Sequence, residues 1–226
     1  MMSDFGRNWR PSRSEMASTH LADRARELRV SLRFQDPGRV AARSGVSYLE
    51  LGPGRGELHI PLWGNACILS WPELMGWDYK DGLLADLQQT LLLYYLITAD
   101  DTPSTGNWVS FAELPDGRTY NTAFQGYSGD EIARKFGLNL EDFEKACNLV
   151  GGREVMVGNA SFIFQALPRV PLMVTYWIGD EDFPSSCKIL FDGSACHYLP
   201  IDACAVLGGM LARKLIAVRR TSRRLP

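Results

Sequence analysis

Apolar residues recur in helical steps along the first part of the chain. From Met16 they fall at Ala17, Leu21, Ala25, Leu28 and Leu32, steps of four, four, three and four that mark one face of a helix. Asp36-Pro37 reads as an N-cap followed by proline at the first helical position. It opens a short helix to about Arg43, and Gly45 ends it. The period then changes to two. Residues 47–51, 57–62 and 66–70 predict three short strands joined by glycine-rich turns. A loop carrying Trp71, Pro72, Gly76, Trp77 and Gly82 follows. Residues 84–99 are apolar almost all round after Gln89, the pattern of a helix covered on several sides.

Residues 100–127 read as a turn-rich stretch with one strand at 108–111. Ser128 and Glu131 have the spacing of a capping box, which predicts a helix to Phe136 stopped by Gly137. Asn139 caps another helix through Val150, ended by Gly151. Strand patterns return at 161–165, 170–178 and 187–191, and a last helix starts near Pro200 and runs to about Val218. Each strand block is followed by a loop and an apolar helix. The expected fold is therefore α+β: an antiparallel or mixed sheet built from two β-β-β-α-like units, with helices packed on it and the N-terminal helix in front. The expected organisation is a loose segment over 1–14, a single domain over 15–218 and a basic C-terminal tail over 219–226.

Composition narrows the functional classes. Hydrophobic residues are 46% and charged residues 22% of 226, which fits a globular domain able to bury its own core. The longest unbroken apolar run, 91–97, is too short for a membrane span, and the arginine-containing N-terminus has no apolar segment behind it. A cytoplasmic protein is expected. Charge is uneven: residues 1–45 hold 9 basic and 5 acidic groups, 46–212 hold 9 and 21, and 213–226 hold 6 and none. The basic tail (Arg219, Arg220, Arg223, Arg224) has no interleaved aromatics for base stacking. The 139–150 helix carries Glu141, Asp142 and Glu144 at its start, which would repel phosphates. A nucleic-acid role is not expected; a protein partner is one alternative.

One motif points to a cofactor and is better read as a turn. YLELGPGRGEL at 48–58 resembles the glycine-rich first motif of S-adenosylmethionine-dependent methyltransferases. That motif needs a helix directly after it. Here Leu58, Ile60 and Leu62 alternate with Glu57, His59 and Pro61, a strand pattern, so a hairpin is expected.

Three segments carry a family resemblance: TGNWVSFAELPDG at 105–117, VPLMVTYWIGDEDFP at 170–184, and KILFD at 188–192 with YLP at 198–200. Together they resemble the bacterial and archaeal family called domain of unknown function 3786, over about residues 36–216. The resemblance implies a setting in anaerobes, where some members are joined to a four-cysteine iron–sulfur domain of the type found in corrinoid proteins. It implies no established reaction. This chain lacks that cluster: Cys67, Cys147, Cys187, Cys196 and Cys204 include no Cys-x-x-Cys pair.

The candidate chemistry is sparse. Asp180, Glu181 and Asp182 follow one apolar strand and Asp192 the next; carboxylates at one sheet rim would bind a hard cation or divide into an acid and a base. His59, His197 and His20 are the histidines, and Cys196-His197 near Asp192 is the densest mixture of ligand types. Trp63, Trp71, Trp77, Trp108 and Trp177 would suit a flat cofactor, and Glu113 with Arg118 a polar grip. The leading expectation is a protein that binds or handles a small-molecule ligand or cofactor, a tetrapyrrole or corrinoid, in anaerobic metabolism. His59, His197, Trp108, Glu113 and Trp177 are its candidate binding residues. The alternatives are an enzyme using Asp180, Glu181, Asp182 and Asp192 with a histidine, and a structural partner in a complex.

Overall fold

A computed structural model describes the backbone of residues 13–80 and 82–222, with side chains over 22–80 and 82–219. The fold is α+β. Helix α1 (Arg13–Leu32) turns Ala25, Leu28 and Leu32 inward, as the apolar steps predict. In α2 (Pro37–Ser44) the Asp36 carboxylate accepts the Arg39 N–H at 2.7 Å, and Gly45 closes the helix at φ 68°. Two antiparallel five-stranded sheets follow, one per strand block.

The first sheet is β1 (Ser47–Gly52), β2 (Arg55–Leu62), β3 (Asn65–Trp71), β4 (Gly76–Asp78) and β5 (Gly82–Leu83), in that spatial order. The glycine-rich motif is the β1–β2 hairpin, as its alternation predicts. Gly56 faces Glu50 across the pair, and a Cβ there would meet the Tyr48 ring and the Leu49 carbonyl at 2.5 Å. The β2–β3 turn puts both Trp63 (φ 54°) and Gly64 (φ 77°) in the left-handed region that a two-residue hairpin turn requires. The 71–82 stretch is not only loop. It contributes β4 and β5, whose three and two residues are too short to show a period.

Helix α3 (Asp86–Thr98) is buried on most sides, packed against α1 and α2. Its buried Gln89 accepts from Arg29 at 2.6 Å and donates to the Leu84 carbonyl at 2.7 Å, so its amide is matched. The second sheet is β6 (Trp108–Ser110), β10 (Ser186–Asp192), β9 (Val170–Trp177), β8 (Ala160–Leu167) and β7 (Arg153–Val155), in that spatial order. Three helices separate β6 from β7: α4 (Gly117–Tyr127), α5 (Gly129–Phe136) and α6 (Leu140–Leu149). Helix α4 occupies part of the expected turn-rich stretch; it buries little besides Gly117 and Phe124, and its stripe of Tyr120, Phe124 and Tyr127 is short and set among polar residues. The Ser128 capping box does not form. Ser128 is buried where α4 meets α5, and its hydroxyl donates to the Phe124 carbonyl instead. Asn139 does cap α6, accepting from the Asp142 N–H at 2.9 Å.

The chain closes with α7 (Ile201–Ser222), which extends beyond Val218. Arg219 is thus helical rather than part of a tail. It lies 3.6 Å from Asp142 and covers the Phe136 ring. The expected loose segment and basic tail fall otherwise on residues 1–12 and 223–226, outside the described residues.

The two sheets meet through few but specific polar links. The Trp63 N–H donates to the Ala166 carbonyl at 2.9 Å. Buried Tyr95 on α3 donates to the Ser44 carbonyl and accepts the Arg169 N–H at 3.1 Å. Its ring stacks on Tyr198 at 5.9 Å. No described helix is long and apolar enough to cross a membrane.

Candidate functional site

The acidic residues do not share one rim. Strands β9 and β10 are antiparallel, so the loop after β9 and the end of β10 lie at opposite ends of the sheet. Asp180 is a turn residue: its Oδ1 accepts the N–H groups of Asp182 and Phe183 at 3.0 and 2.9 Å. Glu181 and Asp182 are exposed.

Asp192 is 1% exposed and fully engaged. It accepts from the Ser104 hydroxyl (2.7 Å), Thr105 N–H (2.9 Å) and hydroxyl (3.0 Å), Gly106 N–H (2.8 Å), and Ser194 N–H (2.9 Å) and hydroxyl (2.7 Å). Burial alone would raise its pKa. The bonds from Ser104, Ser194 and Thr105 outweigh that and hold it well below the usual carboxylate range. A carboxylate with its lone pairs so occupied is a structural clasp on the loop before β6, not an acid or base.

His197 meets a different carboxylate from those predicted. Its Nδ1 lies 2.7 Å from Asp100 Oδ2 and 3.1 Å from the Thr102 hydroxyl, in an exposed position. Hydrogen bonds from His197 and Thr102 lower the Asp100 pKa to about 2. His59 stands on β2 beside Glu57, with Nε2 within ion-pair distance at 3.2 Å but shielded and not hydrogen-bonded. Neither histidine is bonded to the acidic turn. His20 lies outside the described side chains.

The other predicted residues lie on strands and at a cap. Trp108 pairs with Asp192 across β6–β10, and Trp177 pairs with Ser186 while Lys188 sits over its ring. Glu113 caps a short 3-10 turn, accepting from the Ser110 N–H (2.7 Å) and hydroxyl (2.6 Å). Cys67, Cys147, Cys187 and Cys204 are buried. Burial pushes the Cys67 thiol up to about 11, with Asp78 adding to it, and Cys204 up to about 12. Among the described residues, no three of His, Cys, Asp and Glu come together to hold a metal ion.

One concavity lies where no sequence motif points. Asp202, Val206, Gly209 and Arg213 recur along α7 at i, i+4, i+7 and i+11, a single stripe. With Leu87, Tyr120 and Tyr127 they line a cleft of about 450 Å³. It runs on past Leu87, Asp202 and Val206 into a smaller one of about 150 Å³ walled by Arg24, Leu91 and Tyr94. The floor is low because α7 presents small residues. Gly208 seats Phe124 so closely that a Cβ would meet its ring at 2.6 Å, and a Cβ on Gly209 would meet Tyr127 at 3.1 Å.

The lip is fixed from inside. Phe111 stacks on Phe124 at 4.2 Å, Phe124 meets Tyr127 edge-on at 5.8 Å, and Tyr127 leans on Tyr120 at 6.3 Å. This aromatic chain starts in the core against Phe191 and ends at the cleft. Arg24 donates to the Tyr94 hydroxyl at 2.7 Å at one end, and Arg213 stands beside Gly209 at the other. The arrangement offers a largely apolar trough with aromatic edges, a guanidinium at each end, that of Arg24 paired with Glu27, and the Asp202 carboxylate between them. None of Trp63, Trp71, Trp77, Trp108 and Trp177 lines it; Trp71 and Trp77 instead face a separate hollow of about 370 Å³ under the β1–β2 hairpin.

The chain matches the model described as Domain of unknown function (DUF3786) over residues 36–214, from the cap of α2 to the last turns of α7. The chain belongs to the DUF3786 family. The matched range takes in both sheets, the Asp192 clasp and the whole lining of the larger α7 cleft. No curated protein and no solved structure matches the chain.

Proposed function

We propose that this DUF3786 protein binds a small, flat, carboxylate-bearing ligand along α7, as an accessory or carrier protein rather than through the acidic turn. The observation that carries the reading is the α7 cleft. It has the size and largely apolar lining of a ligand pocket, with few polar groups: Arg24, Asp202 and Arg213. Its tyrosines are held by core rings, so the wall is ordered before a ligand arrives. Arg213 at one end suits the paired carboxylates on one edge of a porphyrin ring.

A carboxylated tetrapyrrole is the ligand class that unites this shape with the anaerobic and corrinoid setting implied by the family resemblance. The polar residues predicted to grip a cofactor, His59, His197 and Glu113, do not line the cleft. Binding would therefore rest on packing and end charges and not on ligation of a ring metal.

The test is an oxygen-free titration with protoporphyrin IX followed by absorbance. The expected result is saturable, one-to-one binding that Val206→Trp, which fills the trough, weakens about tenfold or more. Absence of saturable binding, or an isotherm that Val206→Trp leaves unchanged, removes the proposal. The enzyme reading keeps one supporting feature, the exposed His197–Asp100 pair, in which a carboxylate orients an imidazole.

A further inference from the structure

Three turns at one end of the second sheet display large apolar side chains to solvent. They are Leu138 between α5 and α6, Met156 and Val157 between β7 and β8, and Ile178 and Phe183 after β9. Leu138 and Phe183 are 71% and 72% exposed, and Met156 is fully exposed. Such residues scattered singly need no explanation; gathered on one rim they do.

The rim is built rigidly. Gly137 O accepts from the Tyr176 hydroxyl at 2.6 Å and the Ser185 hydroxyl at 2.9 Å, which ties the α5–α6 turn to the β9–β10 loop. Asn159 Oδ1 accepts the Ile178 N–H at 2.9 Å, which ties in the β7–β8 turn. The loop folds on itself: Asp180 donates its N–H to the Phe183 carbonyl at 2.8 Å, and Ser185 accepts from Gly179 at 2.9 Å. A Cβ on Gly179 would meet the Phe183 carbonyl at 2.4 Å. The chain is wound so tightly there that Phe183 is held outward.

Between α5 and this loop lies a cleft of about 620 Å³, walled by Leu138, Phe183, Ala133 and Pro184 and edged by Asp130 and Asp180. Glu181 and Asp182 add two more exposed carboxylates beside it. Arg134 also lines the cleft and is paired with Glu131. The cleft shares no lining residue with the α7 trough.

We infer that this rim is a docking surface for a partner protein's segment that presents arginine or lysine next to large apolar side chains. Charge complementarity selects that occupant. Large apolar groups would enter the cleft against Leu138 and Phe183, while basic groups would meet Asp130, Asp180, Glu181 and Asp182. An acidic or neutral segment would meet uncompensated carboxylates, which disfavours it.

Fluorescence anisotropy with a labelled synthetic peptide alternating leucine and arginine tests this on the full chain. Saturable binding is expected. Phe183→Ser and the double change Glu181→Lys with Asp182→Lys should each weaken it about tenfold or more, and a peptide with glutamate for arginine should not bind. Both variants alter exposed side chains, and their circular dichroism should match the parent. No binding overturns the inference. So does binding that the charge change abolishes and Phe183→Ser leaves intact, which is electrostatics without a docking site. A concentration-dependent dimer by light scattering that Phe183→Ser dissolves assigns the rim to a second copy of the chain and also overturns it.

Discussion

In the first sheet each strand pairs with the one before it, from β1 to β5. In the second, β7 to β10 do the same, but the edge beyond β10 is taken by β6, which precedes three helices in the chain. The first arrangement closes through short turns. The second must bring together strands separated by most of the fold's second half, and long closure costs entropy before pairing compensates it. The Asp192 clasp sits at that join. It ties the loop before β6 to the end of β10 with four hydrogen bonds, and two more from Ser194 hold its own turn. The buried carboxylate of Asp192 thus serves a non-local junction.

The largest effect expected is from Asp192→Ala. Removing one partner of a buried, hydrogen-bonded charge leaves its donors unmatched, at a cost of about 3–5 kcal/mol. Urea denaturation should show the loss as a lower midpoint. Hydrogen exchange should show β6 opening while β2 and β3 keep their protection. If β1 to β5 loosened equally, the two regions would be one cooperative unit and the contrast would be lost.

The same clasp has a pH signature. The folded-state pKa of Asp192 is depressed, so its stabilisation is fully present above the ordinary aspartate value of about 4 and is lost as pH falls below it. The stability gap between the parent and Asp192→Asn should therefore be greatest near neutral pH and shrink on acidification. A gap that grows toward low pH would contradict the assignment.

A middle-sized effect is expected where the halves meet. Tyr95→Phe removes the hydroxyl that joins Ser44 to Arg169, with no loss of ring packing on Tyr198. The expected cost is about 1–3 kcal/mol, since buried backbone groups lose their partner. The smallest concerns His197→Gln. The exposed pair with Asp100 should contribute less than about 1 kcal/mol. A larger thermal shift would mean that the pair holds more than surface charge.

Much of this fold was legible in the residues. The caps at Asp36 and Asn139, the β1–β2 hairpin and the apolar α3 all depend on neighbours in sequence, where local spacing carries the information. What was hidden depends on distant partners. Ser128 has the spacing of a cap but is buried between two helices and bonds backward to Phe124. Asp192 looks like a reactive carboxylate until Ser104, Thr105 and Gly106 are brought to it from the other side of three helices. The α7 cleft left only a faint trace, the small residues Ala203, Ala205, Gly208 and Gly209 on an otherwise apolar helix. Its aromatic lip comes from α4, whose Tyr120, Phe124 and Tyr127 recur at i, i+4 and i+7, a short stripe set among polar residues.

Hydrogen exchange measured with and without protoporphyrin IX, read peptide by peptide, tests the ligand site most directly. The account predicts added protection along residues 202–213, 87–94 and 120–127, which line the α7 trough. Protection centred instead on His59, on the His197–Asp100 pair or on the 180–185 turn, with α7 unchanged, would contradict it.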